Sequence, residues 1–129
     1  MRAIIIDPFR RSVLETDLDG SATSVTEALS CDRMQIAHEF ETGDTLYVDE
    51  DGISRGIDAL RGREAEERAY AFDVGAHQPF LGRGVILGPE DGEGRHTDAV
   101  IHTSRLSGII FLAPDIEAAE GISQAWRAE

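Results

Sequence analysis

The greatest chemical capacity in this 129-residue chain lies in its carboxylates, and a dense local group of them is Asp49-Glu50-Asp51-Gly52, with Asp58 a few residues on. Hard oxygen ligands of this kind suit calcium or magnesium, and Asp49, Asp51 and Asp58 are the candidate metal ligands. A calcium loop of the EF-hand type takes oxygen side chains at its first, third and fifth positions, glycine at the sixth and glutamate at the twelfth. Setting Asp49, Asp51 and Gly52 into that frame puts Tyr47 first and Asp58 last. Both ends of the frame are defective. A turn after a strand, with glycine supplying positive φ and solvated carboxylates around it, explains the same letters without a metal.

The four histidines, His38, His77, His96 and His102, form no close pair at helical metal-ligand spacing. His96 and His102 flank a predicted strand near Asp98, where an acid–base pair or cation site is conceivable. Six strand residues would separate them by about 20 Å, too far to share a metal. They read as surface or interface histidines. Cys31 has Asp32 beside it and no histidine at short range. A neighbouring carboxylate raises a thiol pKa, although Arg33 partly offsets this, so a small packed side chain is the better reading than a nucleophile. Gly82-Arg83-Gly84 precedes an apolar run instead of following a strand and opening a helix, and the chain has no lysine for a Walker motif. Tight turning into a core strand explains those glycines. Phe80 and Leu81, just before them, are either a partner anchor or packing over the sheet.

The elements that would position these groups are mostly strands. Ala3-Ile4-Ile5-Ile6 is a β-branched run ended by Asp7-Pro8, and Ser12 to Leu18 returns against it. Ser24 followed by Glu27 has capping-box spacing and opens a short helix with Val25, Ala28 and Leu29 on one face. Met34 to Phe40 alternates apolar and polar residues, and Thr45 to Asp49 follows the Gly43-Asp44 turn, which predicts a hairpin. The stretch 49–68 reads as a charged loop with one helical turn. Further strands are predicted at Ala69 to Val74, Gly82 to Gly88, Thr97 to His102 and Gly108 to Leu112. A final helix opens at Pro114-Asp115, with Ile116, Ala119, Ile122 and Trp126 as its apolar stripe. The expected fold is a single α+β domain over residues 1–129, with a mixed or mainly antiparallel sheet of about six to eight strands. A short helix is expected near 22–30 and a C-terminal helix near 115–127.

Charge narrows the functional classes. The chain carries 25 acidic and 12 basic residues, a formal net charge of −13, and every basic residue is arginine. Such a field repels nucleic-acid phosphates and anionic membrane and attracts basic partners. No basic stripe or aromatic platform offsets that repulsion, so direct nucleic-acid binding is not expected. No apolar run has membrane-spanning length, and the opening Met1-Arg2-Ala3-Ile4-Ile5-Ile6-Asp7 is too short for a signal peptide. One cysteine allows no internal disulfide. A cytoplasmic, cofactor-free protein is expected.

Taken in order, Ala3-Ile4-Ile5-Ile6-Asp7-Pro8, Cys31-Asp32, Gly43-Asp44-Thr45-Leu46-Tyr47-Val48-Asp49-Glu50-Asp51-Gly52 and Gln78-Pro79-Phe80-Leu81-Gly82-Arg83-Gly84-Val85-Ile86-Leu87-Gly88 resemble a family of small domains of unknown function. Bacteriophages, plasmids and other bacterial mobile elements encode that family. The resemblance covers roughly residues 1–100, includes Thr97-Asp98 and fades beyond Ala99. It implies a genomic setting in which small acidic proteins bind host machinery, some by presenting carboxylates where DNA presents phosphates, and it carries no catalytic residue across.

The expectation is therefore a non-enzymatic accessory protein of a mobile element that binds a basic macromolecular surface, with DNA mimicry as one form. Asp49, Glu50, Asp51, Glu64, Glu66, Glu67, Glu90, Asp91 and Glu93 are the partner-binding carboxylates, whose bland counterpart is a solvated surface. The alternatives are a metal-dependent hydrolase using Asp49, Asp51 and a histidine, and a self-associating structural module.

Overall fold

A computed structural model describes residues 1–8, 10–50, 71–74, 80–106 and 109–112 of the protein. The chain is α+β. Its main body is a five-stranded sheet built from β1 (Arg2–Asp7), β2 (Ser12–Asp17), β3 (Met34–Glu39), β4 (Thr45–Asp49) and β7 (Gly84–Leu87), in the order β2-β1-β7-β4-β3. Every pairing in it is antiparallel. The remaining strands, β5 (Ala71–Asp73), β6 (Phe80–Leu81) and β8 (Ile110–Leu112), form a separate three-stranded sheet in the order β6-β5-β8. The single sheet expected from sequence is thus replaced by two. The division falls at Gly82, whose φ of +83° turns the chain from β6 into β7.

Strand order explains burial. β4 and β7 lie inside the sheet and are buried at every position, while the edge strands β2 and β3 mix half-buried and exposed residues. On one face Ile4, Ile6, Leu46, Val48 and Ile86 pack with Phe72, Phe80, Ala99, Ile101 and Leu106. On the other, Ala3, Tyr47, Val85 and Leu87 pack against Val25 and Leu29 of α1 (Ala22–Leu29). Full burial of one large aliphatic or aromatic side chain contributes roughly 1.5–3 kcal/mol, so both faces need their cover. Gly84 lets the two sheets meet, since a Cβ there would lie 2.7 Å from Phe72 Cζ and 2.8 Å from Leu46 Cδ1.

Helix α1 starts earlier than its sequence signal. Ser21, not Ser24, is the N-cap, and its hydroxyl accepts from the Ser24 amide at 3.1 Å. Ser30 closes the helix in the left-handed region, with its amide bonded to Glu27 and that of Cys31 to Thr26. The hairpin predicted between β3 and β4 forms, with a bulge at Ala37. Thr97 to His102 is not a strand. It runs as irregular backbone into a 3-10 turn at Thr103–Leu106. The loop expected over 49–68 lies outside the described residues beyond Glu50, as does the helix expected near 115–127. No helix among the described residues is long and apolar enough to cross a membrane.

Candidate functional site

The predicted carboxylates part company in the fold. Asp49 ends β4 opposite Met34 and is only 7% exposed, so it is not the solvated turn residue its neighbours suggested. Glu50 is exposed, and its amide is bonded to the Arg33 carbonyl. Asp51, Asp58, Glu64, Glu66 and Glu67 lie outside the described residues. Among the described residues no three histidine, cysteine or acidic side chains gather as a metal site.

Glu90, Asp91 and Glu93 do come together, all exposed, on the turn between Pro89 and His96. Asp91 builds that turn: its Oδ1 accepts from the amides of Glu93 at 2.8 Å and Arg95 at 3.1 Å, and its own amide donates to the Arg95 carbonyl at 2.7 Å. These two amide bonds hold the Asp91 carboxyl below its ordinary pKa. Glu93 stands 3.9 Å from the exposed Arg95 guanidinium, a weak surface pair.

His96 fastens this turn to the sheet. Its Nδ1 faces the Gly88 carbonyl at 2.7 Å, and a carbonyl oxygen only accepts, so Nδ1 carries the proton. In the neutral ring Nε2 then accepts from the Tyr47 hydroxyl at 2.8 Å, with the two rings edge to face. The expected surface histidine is therefore a packed one, its side chain only 10% exposed. Glu90 Oε1 lies 3.9 Å from Nε2. Burial first, and then the charges of Glu90 and Glu39, push the Tyr47 phenol above its ordinary pKa. Glu39 reaches this neighbourhood because it pairs with Thr45, which pairs with Leu87, one residue before Gly88. Sequence reasoning left Glu39 inside a strand; only strand order brings its charge to bear on Tyr47.

Asp44 is the second residue that sequence reasoning undervalued, since it stood there as a turn residue. It is fully buried, yet its carboxylate accepts from the amides of Val100 at 2.9 Å and Ile101 at 2.8 Å and from the Thr42 hydroxyl at 2.6 Å. From the other side the Arg2 guanidinium donates to the carbonyls of Ala99 and Ile101 and to Glu15 at 2.6 Å. Irregular buried backbone needs partners for its amides and carbonyls, and these two side chains supply them in place of a neighbouring strand. Their role is architectural: they lay the 98–101 segment across β1, downstream of the acidic turn.

The other candidates resolve into packing. The Cys31 thiol donates to the Arg33 carbonyl at 3.3 Å. Phe80 is 3% exposed and tilts against Phe72, their ring centroids 5.8 Å apart, so it is core and not an anchor for a partner. His38 packs edge-on to Phe40, His102 is exposed, and His77 lies outside the described residues. Arg83, between the two glycines, faces Asp7 at 3.4 Å and donates to the Ser30 hydroxyl at 2.8 Å.

Comparison of the chain with protein-family models, with curated proteins and with solved structures finds no match.

Proposed function

We propose that this is a non-enzymatic accessory protein of a bacterial mobile element, resident in the cytoplasm, that binds a basic macromolecular surface through carboxylates. The observation that carries this reading is the Pro89–His96 turn. A merely solubilising acidic loop has no need of internal order, whereas this one is closed by Asp91 and anchored by the bonds of His96 to Gly88 and Tyr47. It presents Glu90 and Glu93 from a fixed frame, and the charges of Glu90 and Glu39 both act on Tyr47. Fixed charges lose less conformational entropy on docking than mobile ones and give electrostatic complementarity a defined register. The net charge of −13 adds long-range attraction for a cationic partner.

The test is capture of host-cell proteins on the immobilised full chain at low salt, repeated with Glu39→Arg, Glu90→Arg and Glu93→Arg combined. A basic protein retained at low salt, released as screening rises, and lost with the reversed charges is the expected result. Competition of that capture by duplex DNA marks the mimicry form. Recovery of nothing at low salt, or retention indifferent to both salt and charge reversal, overturns the reading.

A further inference from the structure

Helix α1 packs over β7, β4 and β3 and leaves the β1–β2 end of the same sheet face open. A cleft of about 300 Å³ lies there, within the size range of small-ligand sites. Its apolar lining comes from Ile5 of β1, Leu14 of β2 and Ala28 of α1; Leu14 is 57% exposed although it is a large aliphatic residue. Its polar end is made by Asp7, Arg10, Ser12 and Arg83.

The charges at that end are unequal. Arg83 and Asp7 face one another at 3.4 Å. Arg10, in the turn after β1, is exposed, and its guanidinium makes no ion pair with a described residue. Glu15, also on the cleft wall, is taken by Arg2 at 2.6 Å. The unspent charge is therefore positive, in a molecule whose net charge is −13. Beside it is Ser12 Oγ, a solvent-shielded side-chain oxygen without a hydrogen-bond partner. A buried hydroxyl left unpaired costs stability, which favours a χ1 rotation that turns it from the cleft wall toward a ligand.

We infer that this cleft binds a small organic anion, its carboxylate- or phosphate-type head on Arg10 and Ser12 and its short apolar body on Ile5, Leu14 and Ala28. The site shares no residue with the acidic turn and stands independently of the partner-binding reading. Such a ligand meets both halves of the lining: guanidinium and hydroxyl donors recognise the anion, and the aliphatic floor takes the hydrocarbon.

The experiment is a titration of the full-length protein, followed by amide chemical shifts, with isovalerate, inorganic phosphate and isopentylamine at matched ionic strength. Isovalerate is expected to move the resonances of residues 5–16 saturably, phosphate to bind the same residues more weakly for lack of an apolar body, and isopentylamine to move none of them. Ser12→Ala is expected to weaken isovalerate about fivefold, the loss of one hydrogen bond, while leaving Tm unchanged or slightly higher because the hydroxyl has no partner to lose. Arg10→Ala, at an exposed turn, is expected to weaken it at least as much. Absence of saturable shifts with isovalerate, equal binding of isopentylamine, or isovalerate affinity unchanged in both variants overturns the assignment.

Discussion

Arg2 and Asp44 grip the same short run of irregular backbone with opposite chemistry. The guanidinium donates to the carbonyls of Ala99 and Ile101, and the carboxylate accepts from the amides of Val100 and Ile101. The 98–101 segment, which forms no strand, owes its place to these two side chains and to the Arg2–Ala99 and Arg2–Asp98 bonds. Asp44→Ala strands the buried Ile101 amide, at about 1–3 kcal/mol, together with the part-buried Val100 amide and the Thr42 hydroxyl. A loss of about 3 kcal/mol or more is expected in urea unfolding. Asp44→Asn keeps one acceptor oxygen and should lose less.

The helix cap provides a sharper contrast. Ser21→Ala removes the hydroxyl that accepts from the Ser24 amide and should cost about 1 kcal/mol. Ser24→Ala, at an internal helix position, should stay within about 0.5 kcal/mol. Equal effects in thermal unfolding would return the cap to Ser24.

Gly84→Ala tests the meeting of the two sheets. The added methyl group meets both Phe72 and Leu46, buried side chains with no room to swing clear. A destabilisation of about 1–3 kcal/mol is expected. Leu46→Ala combined with it should recover part of the glycine substitution's cost by opening space, a coupling that a double-mutant cycle reads directly.

Tyr47 predicts an alkaline transition. Its folded pKa is raised, so its contribution to stability is complete below the ordinary tyrosine value near 10 and is lost as pH climbs through the higher folded value. Phenolate absorbance of the Tyr70→Phe variant isolates this group, since the chain has two tyrosines. Glu90→Gln should bring the Tyr47 titration downward by removing a neighbouring negative charge. An unchanged titration would mean that Glu90 plays no part and that burial and Glu39 set it.

At the acid end Asp91 governs the turn. Its folded pKa is lowered, so the stabilisation it supplies is complete above the ordinary carboxylate value near 4 and disappears as pH falls through the lower folded value. Amide exchange at Glu93 and Arg95 should quicken in that acid window relative to exchange at the buried centre of β7, once both are corrected for the intrinsic pH dependence.

Several of these features were legible in the chain and others were not. Alternation over Met34 to Phe40 and the Gly43-Asp44 turn predict the β3–β4 hairpin because both signals act between neighbours in sequence. The same reasoning misplaces a strand at Thr97 to His102, where Val100 and Ile101 have β-forming side chains. There the amides are taken by Asp44, a residue far away in sequence, and no local propensity reports such a bond. Division into two sheets was equally hidden: Gly82-Arg83-Gly84 reads as a turn into a core strand, and nothing in the letters says that Phe80 and Leu81 before it pair in a different sheet. For the site, the acidity of 90–93 was plain, but the partnership of Tyr47 with His96 was not.

By itself the sequence determined the α+β class, the short helix, the apolar strand runs and the surplus of negative charge, since each follows from composition or from periodicity within a few residues. Tertiary structure alone decided which carboxylates are exposed and which are spent. Asp44 and Asp49 became interior groups, Asp91 a turn-builder, and Glu39 a charge acting on Tyr47. The reason is physical: an isolated carboxylate in a chain is always better solvated, and only the dense set of amides and hydroxyls assembled by folding can make burial tolerable at one aspartate and leave its neighbour in water.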